Sequence, residues 1–341
     1  MMTAHRSFLI AAGATALVIL AALAIFWLRK PPPPPPEPLV IAVAVNFIGM
    51  PLFVAEQQGF FADEGLQVTF QRRPFGKLAL DALLQGEAEV ATVAETPIMF
   101  ASFGKTPFSI IANYMTSGEH SLVARTDRGI RQVTDLRGRR VGVSVGTSAH
   151  YFLHVLLSDQ GLTEADIERV SVPAPEQVAA LTEGRVDAVA AFAPYSTQCR
   201  LALGDAALSF PAGIRYTGFT ALVVSREIAQ QRPATALRLL RATDRAITWM
   251  RNHRREAIVL GAQELGIEVA AVEAHWEDMR PALALNQAAI VLLEAEARWA
   301  INNGLVSAAT PPNYLDYFDP SVLQRLRPEA VSVISGKPGK P

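Results

Sequence analysis

Four short stretches carry residue types that could hold a small ligand: Gly49-Met50-Pro51, Glu95-Thr96-Pro97, Gly146-Thr147-Ser148-Ala149-His150 and Ala193-Pro194-Tyr195. In three of them a proline stands where a helix would follow a strand. Its missing N–H costs nothing there, because the first N–H groups of a helix have no partner within the helix. Thr96 reads as an N-cap before Pro97, and Thr147 or Ser148 serves the same purpose in the third stretch. Unpaired N–H groups and the positive end of the helix dipole make such starts ready anion sites. Each stretch alone is an ordinary strand-to-helix turn. Four of them together predict a shared cleft.

Other chemistries lack their parts. His150 and His154 share a helical face, yet the zinc-hydrolase pattern needs Glu after the first His, and Tyr151 stands there. No metal is expected. Gly142-Val143-Ser144-Val145-Gly146 has the Gly-x-Ser-x-Gly spacing, which alone is a weak signal, and Gly104-Lys105-Thr106 lacks the glycine five residues earlier that a phosphate loop needs, Met99 standing there. The chain's single cysteine, Cys199, excludes an internal disulfide and a four-cysteine zinc site, and reads as a buried apolar residue. The basic run at Arg251, His253, Arg254 and Arg255 reads as a solvated helix end. With 31 Lys+Arg against 32 Asp+Glu, there is no basic excess of the kind nucleic acid selects. No enzyme activity, cofactor or nucleic-acid partner is expected.

The elements that must position the four stretches follow from the apolar pattern. With 50% hydrophobic residues the chain can fill large cores. Short apolar runs at Leu39–Val45, Val68–Gln71, Val90–Val93 and Ser109–Asn113 read as strands, with helices over Pro51–Gln58, Lys77–Leu84 and Pro97–Phe103. After Leu122–Ala124 a second series runs through strands at Arg140–Val143, Val170–Val172 and Ala188–Ala191, with helices at Ala149–Asp159, Glu176–Leu181 and Pro194–Leu203. A strand at Thr220–Val224 precedes an almost wholly helical stretch, with segments near Thr235–Asn252, Glu256–Leu265, Val269–Met279 and Ala288–Asn302. The class is α/β: two lobes, each a mainly parallel sheet flanked by helices. The last helices are expected to return to the first lobe.

The amino terminus is of another kind. Ser7 to Leu28 has no charged side chain, and as a helix at about 1.5 Å per residue it would span about 33 Å, enough for a bilayer core. Residues 1–30 read as an uncleaved signal anchor, a cleaved signal being the alternative. The prolines that follow make residues 31–38 a stiff polyproline spacer of roughly 25 Å.

The motif series resembles the periplasmic substrate-binding proteins of ABC importers for nitrate, sulfonates, taurine and thiamine-pyrimidine precursors. The likeness rests on Asn46-Phe47-Ile48-Gly49-Met50-Pro51-Leu52; on Gly86-Glu87-Ala88-Glu89 leading to Glu95-Thr96-Pro97; on Asp135-Leu136-Arg137-Gly138-Arg139-Arg140-Val141-Gly142-Val143 followed by Gly146 to His150; and on Gly184-Arg185-Val186-Asp187-Ala188 with Phe192 and Pro194-Tyr195. It is best to the sulfonate-binding branch and covers about residues 39–330. It implies a type II two-lobed binding protein, with lobe I at 39–125 and 222–341 and lobe II at 126–221. Two chain crossings would lie near Ala124–Asp127 and Thr220–Ser225. The matching motifs imply that a solute touches Phe47, Ile48, Gly49, Glu95, Thr96, Thr147, Ser148, His150, Phe192 and Tyr195. Hydrogen bonds to a charged group contribute about 1.5–3 kcal/mol each, so a few suffice for micromolar binding. No Trp or Arg in these motifs would pin a charged head, and Glu95 would repel a bare anion but could pair with an amine. The resemblance also implies a monomer in the periplasm that delivers its solute to an ABC permease; the N-terminal helix expected to hold it at the inner membrane is unlike the usual free or lipidated form of that family. The alternatives are a membrane-tethered sensing receptor and an enzyme like the thiamine-pyrimidine synthases. The latter needs a cysteine cluster that Cys199 alone cannot supply.

Overall fold

The computed structural model describes residues 35–213 and 216–333. The expected anchor, Ser7–Leu28, and the first half of the spacer, residues 31–34, lie outside these. Among the described residues no helix is long and apolar enough to cross a membrane.

Two sheets organise the chain from Glu37 onward. The strands are β1 Glu37–Ala44, β2 Leu66–Arg73, β3 Val90–Ala94, β4 Phe108–Ser117, β5 His120–Arg125, β6 Arg140–Val143, β7 Glu168–Ser171, β8 Ala188–Phe192, β9 Ala207–Pro211, β10 Gly218–Ser225 and β11 Met279–Ala284. The first sheet has the order β11-β4-β10-β3-β1-β2 and the second β7-β6-β8-β5-β9. Val90–Ala94 and Ala188–Phe192 are almost wholly buried, as their unbroken apolar runs require for strands covered on both faces. The helix Pro233–Asn252 packs on Met50–Gln57, and Gln287–Asn302 packs on Glu95–Ala101, so the C-terminal helices return to the first lobe.

The structure corrects the expected layout in four places. The sheets are mixed, not mainly parallel: β10 runs antiparallel to β3 and β4, β11 to β4, and β5 to β8 and β9. The chain crosses between lobes at Gly118-Glu119 and again after β9 ends at Pro211 and before β10 begins at Gly218, earlier than expected at both points. Leu122–Ala124 already belongs to β5 in the second sheet, and Thr220–Ser225 already belongs to β10 in the first. The end of the expected helix Val269–Met279 starts the edge strand β11 instead. Finally, Glu37 and Pro38 are not spacer. Glu37 opens β1 opposite Leu66, and its carboxylate is held by Arg232, Arg238 and Thr235.

Gly49 shows how tightly the first turn is built. The Asn46 side chain accepts from the Ile48 N–H at 3.2 Å, and Pro51 sits in the first turn of the next helix. A Cβ on Gly49 would collide with the Ala44 carbonyl oxygen and the Phe53 ring. Gly49→Ala is therefore expected to destabilise the fold by about 3 kcal/mol, the upper range for overpacking. Urea denaturation checks this, and an unchanged midpoint would contradict it.

Candidate functional site

The strand ends and helix starts of both lobes converge on one pocket. From lobe I come Asn46 and Ile48 after β1, Phe75, Gly76 and Lys77 after β2, Glu95 and Pro97 after β3, and Phe219 and Thr220 of β10. From lobe II come His120, Thr147, Ser148 and Phe192, and Glu119 lies on the crossing between them. Ligands in open α/β sheets bind beyond the carboxyl ends of the strands, and this pocket occupies that place. The helices starting at Ser148, Glu95 and Tyr195 have no side-chain cap, so their first N–H groups are not taken by capping side chains.

The lobes are in contact around the pocket, which leaves only about 20 Å³ of free space, little more than a water needs. Phe75 of lobe I meets Phe192 of lobe II with ring centres 6.4 Å apart. The Tyr195 hydroxyl reaches to 3.5 Å from the Pro74 carbonyl. On another flank Trp299, from the helix Gln287–Asn302, lies against His150, Tyr151 and His154 of the helix Ser148–Asp159 at 4.9, 5.2 and 5.7 Å. This is a closed arrangement.

Of the residues that the sequence singled out, Ile48, Glu95, Thr147, Ser148 and Phe192 line this pocket; the other five do not. Phe47 is buried against His275, with ring centres 5.5 Å apart. Gly49 is packed as described above. Thr96 is not the helix cap, since Ala94 holds that position; its hydroxyl donates to Glu296 Oε1 at 2.8 Å. His150 is buried with Nε2 2.6 Å from Arg169 and 3.3 Å from Glu164. Tyr195 packs on Phe192 at 5.5 Å beside the pocket. His154 packs against Trp299 with ring centres 5.7 Å apart, and among the described residues no three metal-ligating side chains cluster.

Lys77, Glu119 and His120 were missed by the sequence reading. Lys77 is the pocket's cation and forms an i,i+4 pair with Asp81 at 2.8 Å. His120 lies within contact of Ser148, Nε2 to Oγ at 2.8 Å, and burial pushes its pKa down to about 3, so the ring is neutral. Glu119 Oε2 and His120 Nδ1 are buried without a hydrogen-bond partner. The one available signal was a pair of titratable residues at the junction of two apolar runs.

The Glu95 carboxylate is not free for a ligand amine. It accepts from the Tyr216 hydroxyl and from the Phe219 N–H at 3.0 Å. Burial raises its pKa to about 7, which removes much of the repulsion that a fully ionised carboxylate would exert on an anion. Burial also pushes the Cys199 thiol up to about 12, the reverse of an activated nucleophile.

Known proteins share both sequence and architecture with this chain. A protein of Escherichia coli (strain K12) named for binding aliphatic sulfonates is 26% identical over 246 residues, which cover 72% of this chain and 76% of that one. The crystal structure of the periplasmic aliphatic sulphonate binding protein SsuA from Escherichia coli superposes with a TM-score of 0.73 at 18% identity, covering 90% of this chain and 96% of that one. The desulfurization enzyme DSZB has the same fold, with a TM-score of 0.66 at 20% identity, covering 85% of this chain and 98% of that one. The fold is thus that of two-lobed periplasmic binding proteins, and it also serves an enzyme. Residues 46–257 match the NMT1/THI5-like family from the first turn after β1 into the C-terminal helices, and over that span, well beyond half its length, the chain belongs to that family.

Proposed function

We propose that this chain is the solute-binding component of an ABC-type importer, capturing a small organic anion between its lobes and delivering it to a membrane permease. The observation that carries this reading is the convergence of uncapped helix starts from both lobes on one pocket that also holds Lys77 and Ser148. An acidic group would meet Lys77, the Ser148 hydroxyl and the N–H groups that open the helix Ser148–Asp159. Ile48, Phe75, Phe192 and Phe219 would enclose an organic body. A sulfonate suits this combination better than nitrate, which has no body to fill the aromatic wall, and better than a neutral pyrimidine, which does not need the cation.

Solute binding would select a closed arrangement with the lobes set further apart than here, where the pocket leaves only about 20 Å³. The protein would act as a monomer in the periplasm, with Ser7–Leu28 holding it at the inner membrane and the prolines from Pro31 acting as a stiff standoff.

Native mass spectrometry of the chain purified gently from cells, repeated after unfolding and refolding, tests the reading. A non-covalent mass lost on refolding and matching an organic acid supports it. Retention in the membrane fraction after an alkaline wash supports the anchor. Thr147→Ala combined with Ser148→Ala is expected to weaken binding of propane-1-sulfonate at least tenfold by calorimetry. Unchanged affinity in that double variant would sink the assignment of the pocket.

A further inference from the structure

Beyond Glu119 and His120 the interlobe cleft widens into a second chamber of about 440 Å³. The same two residues line both compartments, so the chamber adjoins the pocket across Glu119 and His120. Its walls belong to both lobes. Ser196, Thr197 and Arg200 come from the helix Tyr195–Leu203, whose start has no side-chain cap. His275 and Arg280 come from lobe I, and His275 Nε2 lies 2.6 Å from Thr197 Oγ1, joining the walls.

The charges in this chamber are unevenly partnered. Of its rim acids, Glu277 forms an exposed ion pair with Arg254 at 2.9 Å, and Asp278 lies 3.1 Å from His275 Nδ1. The side chains of Arg200 and Arg280 line this chamber, are exposed to solvent and form no ion pair among the described residues. Two guanidinium groups from opposite lobes, beside an uncapped helix start and the Ser196 hydroxyl, suit an oxyanion that touches both lobes. At the floor, Glu119 Oε2 and His120 Nδ1 are buried with no partner, and such atoms cost free energy unless something satisfies them. Burial raises the Glu119 pKa, so its carboxyl is held toward the protonated form and can donate to an oxyanion.

We propose that this chamber is a second anion subsite, and that the solute is a bifunctional acid with one acidic group near Lys77 and Ser148 and the other between Arg200 and Arg280. This rests on the reading of the first pocket as an organic-anion site. It adds a substrate class, since a monoacid would use only one compartment. It also supplies the arginine anchors that the strand-end motifs lack.

Calorimetric titration of the full chain with 3-sulfopropanoate and with propane-1-sulfonate separates the two claims. The diacid is expected to bind at least tenfold more tightly than the monoacid. Arg200→Ala and Arg280→Ala, both at solvent-facing positions, are each expected to remove most of that preference while leaving the monoacid affinity within twofold. Lys105→Ala, on an exposed loop away from the cleft, should leave both affinities unchanged. Equal affinity for the two probes, or a diacid preference that survives in the double arginine variant, overturns the second subsite and leaves the first pocket standing. If neither probe binds the unaltered chain, the sulfonate reading fails and the subsite fails with it.

Discussion

A chain carrying Glu296→Gln should melt at a higher temperature than the unaltered protein at pH 8, and at nearly the same temperature at pH 5. Glu296 is fully buried in the helix Gln287–Asn302, accepts from Thr96, and has no partner for Oε2. Burial, with the nearby Glu95 carboxyl adding to it, raises its pKa well above the usual carboxylate value. Burial likewise raises Glu95 from 4.5 to about 7. A carboxyl whose folded pKa lies above its unfolded value binds its proton more tightly in the folded state. Its stabilisation is complete below the unfolded pKa and is lost as pH rises toward the folded one. For Glu95 that window runs from 4.5 to about 7, and at about 1.4 kcal/mol per unit the loss is roughly 3 kcal/mol. The amide in Glu296→Gln keeps an acceptor for Thr96 and has no proton to lose. Thermal melts of both chains from pH 5 to 8 check this. A flat profile for the unaltered protein, or a variant that melts lower at pH 8, would show that these acids are not held protonated.

Trp299→Ala should cost about 3–5 kcal/mol, the usual range for removing a buried large aromatic, and should also open the lobes. The indole is 4% exposed. It packs on Phe100 of its own lobe at 6.0 Å and on three rings of the helix Ser148–Asp159 in the other lobe. Losing it removes the aromatic seam on the flank away from Phe75 and Phe192. The expected result is an earlier urea midpoint together with a larger radius of gyration in small-angle scattering without solute. Trp299→Phe, which keeps a ring toward Phe100, should retain about half of the stability. A compact Trp299→Ala chain with an unchanged scattering profile would mean that the lobes are held by other contacts.

The residues of the candidate site were legible to different depths. Ile48, Glu95, Thr147, Ser148 and Phe192 stand at strand-to-helix turns, and such turns are written locally in Gly, Pro and Thr/Ser. The same signals marked Phe47, Gly49, Thr96, His150 and Tyr195, whose side chains point into packing or toward other partners. A turn motif fixes where the backbone reverses, whereas the facing of each side chain depends on the element packed against it. Thr96 turns to Glu296, two hundred residues later in the chain, and no local pattern contains that partner.

What the sequence determined by itself was the alternation of strand and helix, because apolar periodicity and caps act over a few residues. Arg140–Val143 is a strand with the expected ends, and the helix over Ser148–Asp159 starts within one residue of the expected place. The tertiary structure alone decided which strands run antiparallel, since β10 enters the first sheet between β3 and β4 only after the chain has built the whole second lobe. It also decided that Met279–Ala284 is an edge strand, because a short apolar segment in helical surroundings becomes a strand only when an open sheet edge, here that of β4, is beside it. And it decided the cleft. Glu119 and His120 line both compartments because the chain crosses between lobes there, and Arg200 and Arg280 line one chamber because long-range packing brings the two lobes together, which no local spacing records.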